Sequence, residues 1–185
     1  IDLVTSGMPC ETFSTAGNTS RSFYDDRQFL FREGIRIAEI VNAKLILFEN
    51  VPAITTKTVS KDSNELIVSV LKEELKEAGY GNLKEFVLCA TDFGVPQTRK
   101  RFFILASKNP TTELSAPTPT CKKTVTVQDA FAGLKNVIPN SNQEETEYSN
   151  SSSMFEKLMR DDNFWRRTNP QPDKVTYQMP MKHRA

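Results

Sequence analysis

From Ile1 to Ser107 the chain alternates between two hydrophobic rhythms. Short apolar runs such as Leu45-Ile46-Leu47-Phe48 carry no period and read as buried strands. Between them lie longer segments whose apolar residues recur every three or four positions, the spacing of one helix face. Ile1–Ser6 reads as a strand ending in the loop Gly7-Met8-Pro9-Cys10, and the polar stretch Thr12–Asp26 reads as a mobile loop. Phe31, Ile35, Ala38 and Val41 place a helix over Arg27–Asn42. Pro52 closes the strand Leu45–Phe48, because proline cannot donate to a ladder. After the polar loop Thr55–Lys61, Asp62 or Ser63 caps a second helix, with Glu65 in its first turn. Leu66, Ile67, Val70, Leu71, Leu75 and Ala78 form its buried face, and Gly79 stops it. Glu85–Ala90 and Phe102–Ser107 read as two more strands. The order strand, helix, strand, helix, strand predicts an α/β fold with a partial doubly wound, Rossmann-like sheet. The short link Thr91–Arg101 predicts that one of the last two strands runs antiparallel at the sheet edge.

Beyond Lys108 the character changes. Pro110, Pro117 and Pro119 make Asn109–Thr120 a linker. Thr126 caps a short helix over Val127–Leu134, Asn140–Ser153 reads as a disordered or surface loop, and Met154–Arg167 reads as one more helix. The expected organisation is a catalytic part over residues 1–109, a linker over 110–125, and a second region over 126–185. A length of 185 residues, 38% of them hydrophobic, suits one domain or one domain with part of another. The net charge of +1 does not advertise a nucleic-acid partner, although basic residues gather at Arg99-Lys100-Arg101, Arg166-Arg167 and Lys182-His183-Arg184. The last two of these clusters read as solvated faces. No apolar run is long enough to cross a bilayer and no signal-peptide pattern is present, so no membrane partner is expected. Three widely spaced cysteines fit a reducing compartment: cytoplasmic for a bacterial or phage protein, nuclear for a eukaryotic one. The chain opens on Ile1 with a hydrophobic run already under way, which reads as a fragment, a processed chain or one subunit of a split protein.

Three places carry candidate chemistry. Cys10 follows a proline in a sharp turn at the carboxyl end of a strand, the edge where open α/β sheets bind ligands. A lone cysteine is more often a small buried hydrophobe, but this context suits an aimed thiol. Glu49 ends an apolar strand expected to neighbour the one that leads to Cys10. A carboxylate there can hold or donate a proton, although a loop or capping role is the commoner one. In Gln97-Thr98-Arg99-Lys100-Arg101, alternate residues of an extended segment share a face, so Gln97, Arg99 and Arg101 point together. Arginines offer fixed donors to an anionic or carbonyl oxygen. A charged edge strand is the competing reading.

Together these segments resemble one family. Gly7-Met8-Pro9-Cys10-Glu11-Thr12-Phe13-Ser14, Phe48-Glu49-Asn50-Val51 and Gln97-Thr98-Arg99-Lys100-Arg101 are similar, in order and spacing, to three blocks of the DNA cytosine-5 methyltransferases. Asp26-Arg27-Gln28-Phe29-Leu30-Phe31 and Asp92-Phe93-Gly94-Val95-Pro96-Gln97 match as well. The resemblance is strong from Ile1 to Asn109; Thr126–Leu134 and Lys182–Ala185 look like the approach to the family's target-recognition region.

The resemblance implies methylation of carbon 5 of cytosine in double-stranded DNA with S-adenosylmethionine as cofactor. It implies Cys10 as nucleophile on carbon 6, Glu49 at the exocyclic amine and nitrogen 3, Arg101 at the ring carbonyl and steadying Glu49, and Arg99 as a further catalytic residue. Met8 would read the amine through its backbone carbonyl, Pro9 and Leu30 would touch the cofactor, and Ser14, Arg21 and Gln97 would lie near DNA. The target base must flip out of the duplex to be reached, and the polar loop after Cys10 would close over it. Glu11 stands where the family usually has glutamine. The family's glycine-rich cofactor loop and its last cofactor-contacting block fall outside these residues, so a second, complementing chain or missing sequence is expected to supply them. The alternative is a catalytically silent DNA-binding or structural remnant. A thiol hydrolase would need a histidine, and His183 is far from the strands; Cys10, Cys89 and Cys121 lack the paired spacing of a zinc site.

Overall fold

The computed structural model describes residues 1–9, 26–134, 146–147, 153–161, 163–166 and 174–175. They fall into two compact units, one of Ile1–Ala90 with Arg99–Pro119 and one of Thr91–Thr98 with Thr120–Ala185. The first is built on strands β1 (Leu3–Gly7), β2 (Leu45–Asn50), β3 (Asn82–Cys89) and β4 (Lys100–Ser107), with helices α1 (Phe31–Ile40) and α2 (Ile67–Glu77). The sheet order is β1-β2-β4-β3. β1 and β2 are parallel, whereas β4 runs antiparallel to both of its neighbours. The result is an open, mixed α/β sheet of the expected class. The antiparallel strand, however, is not the edge strand. The edge is β3, and β4 folds back between β3 and β2, where each of its sides finds a ladder.

Register divides the sheet into two faces. On one face Val4, Ile46 and Ala106 form a row, then Ser6, Phe48 and Ile104, then Asn50 and Phe102. Both helices pack here. Gly34 brings α1 so close that an added Cβ would lie 2.7 Å from Ser6 Oγ and 3.0 Å from Phe48 Cε1. Lys72 on α2 pairs with Glu85 on β3. Ile35, Ala38, Ile67, Leu71 and Leu75 complete the buried core, each large side chain contributing roughly 1.5–3 kcal/mol on burial. On the other face stand Leu3, Thr5 and Gly7, then Leu45, Leu47 and Glu49, and then Phe103 and Leu105, all exposed or half-buried. Phe103 stacks on Phe86 with ring centroids 5.6 Å apart.

Both helices end in the same device. In α2 the N–H of Tyr80 reaches Leu75 O at 2.8 Å and that of Gly79 reaches Lys76 O, with Gly79 at φ +87°, so Gly79 terminates the helix as expected. In α1 the left-handed position falls to Asn42, at φ 47°, and Ala43 N–H reaches Ala38 O. Tyr80 then locks this end, its buried hydroxyl donating to Ala43 O at 2.8 Å. The start of α2 departs from expectation. Neither Asp62 nor Ser63 caps it; the Ser63 hydroxyl accepts from Glu65 N–H instead, Leu66 forms an isolated bridge with Thr58, and the helix begins at Ile67. Backbone pairing took precedence over the local cap. Cys89, expected in the core, is only half-buried at the end of the edge strand.

In the second unit Thr126 caps α3 (Val127–Ala130) through a reciprocal box with Asp129, and a 3-10 turn follows over Ala132–Leu134. Helix α4 (Met154–Arg160) is shorter than the expected Met154–Arg167. The Asp161 carboxylate accepts from the N–H groups of Asn163 and Phe164 and starts a new turn. Buried Glu156 holds the Gly133 N–H at 2.9 and 2.8 Å. Within the expected loop Asn140–Ser153, Thr146–Glu147 forms a short strand, β5, paired with β6 (Lys174–Val175). The expected loop Thr12–Asp26 lies outside the described residues except for Asp26, which opens a 3-10 turn. Among the described residues no helix is long and apolar enough to cross a membrane.

Candidate active site

The parallel strands β1 and β2 end together. Gly7 stands opposite Glu49, so the carboxyl edge of the sheet presents the loop Met8-Pro9 beside a carboxylate. A side chain at Gly7 would come within 3.8 Å of Glu49 Oε2; glycine leaves that oxygen open toward the end of β1. Glu49 lies on the face opposite α1 and α2 because β2 alternates, sending Phe48 and Asn50 to the core.

Arg101 reaches the same spot from β4. It is two residues from Phe103, the partner of Glu49, and therefore diagonal to Glu49 on one face. Its Nε lies 2.7 Å from Glu49 Oε1, and its Nη1 donates to the Lys100 carbonyl at 2.8 Å. The arginine side chain is 19% exposed and the glutamate 41%, so the cation is the deeper partner and the carboxylate faces outward. No acceptor among the described residues takes Nη2, which keeps donors for an incoming oxygen. The pair thus offers an outward carboxylate oxygen beside a fixed guanidinium edge, a combination that can hold an amide-like ring edge by donor and acceptor at once.

The other predicted positions distribute as follows. Met8 is buried against the core at 6% exposure, and Pro9 is exposed. Leu30 precedes the first turn of α1 and is 39% exposed. Arg99 is exposed, and its carbonyl accepts from Ala90 N–H, so it continues the β3–β4 pairing. Strand alternation therefore puts Arg99 on the face of Arg101. It does not extend to Gln97, which sits exposed in a tight bend with its N–H 2.7 Å from Val95 O. Cys10, Ser14 and Arg21 lie outside the described residues.

Sequence reasoning passed over a set of buried polar residues in the first unit. Asn50 and Gln28 are 2% and 3% exposed, and Asn50 Nδ2 and Gln28 Oε1 find no partner among the described residues. Lys57, assigned to a polar loop, is buried, and burial pushes its ammonium below the ordinary lysine value. Its neighbour Ile54, three positions earlier and fully buried, is the one local hint. By contrast, a groove of about 560 Å³ between α1 and α2 is lined by charges that already pair, Arg32 with Glu74 and Arg36 with Glu33, and reads as a solvated seam.

Comparison with known proteins agrees with this geometry. The family described as C-5 cytosine-specific DNA methylase matches residues 1–183. The chain is 34% identical to the Type II methyltransferase M1.HphI of Haemophilus parahaemolyticus over 166 residues, 85% of this chain and 42% of that protein. It is 33% identical to M.MspI of a Moraxella species over 118 residues, 64% of this chain and 27% of that protein. A prophage-encoded E. coli protein, assigned as a DNA modification methyltransferase, superposes with a TM-score of 0.57 at 25% identity, covering 85% of this chain and 44% of that one. The chain spans less than half the length of these relatives. With the family's blocks in order along the sequence and two of them joined at one sheet edge by an ion pair, the chain belongs to the C-5 cytosine-specific DNA methylases.

Proposed function

We propose that the protein containing this chain methylates carbon 5 of cytosine in double-stranded DNA, and that residues 1–109 carry its chemistry. The observation that carries this reading is the Glu49–Arg101 pair, 2.7 Å apart, at the edge where β1 ends three residues before Cys10. Carbon 5 of cytosine is a poor nucleophile. The Cys10 thiolate adds to carbon 6, and the ring's electrons move to carbon 5 as an enamine. Glu49 accepts from the exocyclic amine and shares a proton with nitrogen 3, which lets the ring accept those electrons. Arg101, braced on Glu49 and on its own strand, offers Nη2 to the ring carbonyl oxygen. S-adenosylmethionine, when bound, supplies the electrophilic methyl group that carbon 5 takes up. Loss of the carbon 5 proton then restores the double bond and expels the Cys10 thiolate.

The described residues fit one wall of a cofactor site. Pro9 at the end of β1 and Leu30 at the start of α1 are both exposed and apolar, as one side of an adenosyl group requires. The glycine-rich part of that site comes from sequence outside these residues or from a complementing chain. The isolated 185-residue chain therefore binds S-adenosylmethionine weakly, and tight stoichiometric binding in calorimetry would refute that division of labour. Met8, Ser14, Arg21 and Gln97 serve the DNA side, exposed Arg99 belongs with Arg101 to the catalytic group, and residues 126–185 lead toward target recognition across the linker 110–125.

A duplex carrying 5-fluorocytosine tests the mechanism, because fluorine at carbon 5 cannot leave as the proton does. The full-length protein is expected to remain covalently attached after methyl transfer. Cys10→Ser is expected to abolish attachment and keep most of the DNA affinity, which rests largely on phosphate contacts. A Cys10→Ser protein that still traps the fluorinated base would overturn the assignment.

A further inference from the structure

Gly7 closes β1, pairs with Glu49 and is exposed. The rows before it on that face are filled, Leu3 beside Leu45 and Thr5 beside Leu47. The last row runs from Gly7 to Glu49 to Phe103: a gap, a carboxylate and a ring. Glycine in a strand asks for a reason, because it weakens the ladder and packs nothing. Backbone shape does not supply one, since the positive φ angles of the described glycines belong to Gly79 and Gly94. Tight packing does not supply one either. At Gly34 an added Cβ would meet Ser6 Oγ at 2.7 Å, but at Gly7 the nearest described atom beyond the adjoining residues is Glu49 Oε2, at an ordinary contact distance of 3.8 Å. The fold therefore has room for a side chain at Gly7. What remains is a ligand that approaches closely.

The carboxylate says which ligand group needs that room. Arg101 Nε holds Oε1 at 2.7 Å, and Oε2 is the oxygen turned toward Gly7. A donor must come within about 3 Å of the oxygen it binds. A methyl group 3.8 Å from Oε2 would occupy one side of that approach. We infer that Gly7 is a specificity-determining residue: its missing side chain is the slot through which the amine edge of the flipped cytosine reaches Glu49 Oε2. Glu49 supplies the acceptor, Arg101 fixes its other oxygen, and Gly7 keeps the approach clear.

This inference rests on the reading of Glu49 given above, and its test separates the two. Gly7→Ala adds one methyl group at an exposed strand position, so the full-length variant is expected to melt at or slightly above the wild-type temperature. Single-turnover adduct formation on the fluorinated duplex should slow on the order of 10²-fold, the loss that follows when a reacting group is displaced by about 1 Å. The same duplex with the target base removed leaves no ring to collide with the methyl group. For that abasic duplex the affinity of Gly7→Ala should stay within ~3-fold of wild type, since phosphate contacts carry it. Adduct formation at the wild-type rate would overturn the inference. So would an affinity for the abasic duplex that falls as steeply as the adduct rate, because the methyl group would then act on something other than the base. Glu49→Gln is measured alongside. If it slows and Gly7→Ala does not, the role of Gly7 alone falls; if Glu49→Gln is unimpaired, the reading of the active site falls and the inference goes with it.

Discussion

β2 has two faces, and they follow different rules. Ile46, Phe48 and Asn50 point under the helices and are at most 2% exposed. Leu45, Leu47 and Glu49 point to the other side and are half-buried. The first set holds the strand in place; the second ends in Glu49 against Arg101, the pair assigned to the proposed chemistry. A strand makes this division with no extra device, since neighbouring side chains diverge by the pleat alone. Rigid packing on one face is what lets the other place a carboxylate with useful accuracy.

If the two faces are separable, a change on one should leave the other's property alone. The largest expected effect is on chemistry. Glu49→Gln in the full-length protein should slow single-turnover methylation by ~10²–10⁴-fold, the range for a lost acid–base group. The melting curve should shift little, because a partly exposed ion pair contributes only ~0–1 kcal/mol. A joint collapse of rate and stability would break the comparison.

Phe48→Ala is the converse. Removal of a core aromatic should cost about 3–5 kcal/mol in chemical unfolding, with the rate per folded molecule near that of wild type. A fully stable variant would mean that the α1 contact contributes little to the fold.

Gly34→Ala sharpens the same point with a smaller effect. Its Cβ would sit 2.7 Å from Ser6 Oγ and 2.9 Å from Ser6 Cβ, both inside contact distance. Overpacking of this kind costs about 1–3 kcal/mol, and a second change, Ser6→Gly, should recover part of it. No recovery in thermal melts would show that Phe48, not Ser6, sets the limit.

The smallest effect is a pH dependence. Burial lowers the Lys57 pKa below its ordinary 10.5. Between its folded value and 10.5 the unfolded chain binds more protons than the folded one, so stability gains with rising pH across that window. Wild type should gain on Lys57→Met as pH climbs toward 10.5, read from unfolding curves at several alkaline pH values. A difference that is flat with pH would mean that burial does not disfavour the charged form of Lys57.

Much of the first unit was legible from one dimension. The apolar runs marked β1 and β2, helical spacing marked α1 and α2, and Gly79 marked the end of α2, because each signal depends only on local covalent geometry. The cap of α3 by Thr126 was legible for the same reason. The blocks around Cys10, Glu49 and Arg101 gave the family before any coordinates did, since three short patterns in order are specific even when each alone is weak.

Tertiary structure decided what depends on partners distant in sequence. It set β4 between β2 and β3, a choice made by ladder pairing that loop length cannot distinguish. It made Leu66 a bridge partner of Thr58 and so moved the start of α2 to Ile67. It buried Lys57, whose neighbours in sequence are polar but whose neighbours in space include the core. It joined Glu49 to Arg101 across 52 residues of chain, because only the β2–β4 register brings those two positions onto one diagonal. The residue types needed for the proposed chemistry are written along the chain; where Glu49 and Arg101 meet follows from strand order, which is settled by how buried backbone groups find partners across the whole sheet.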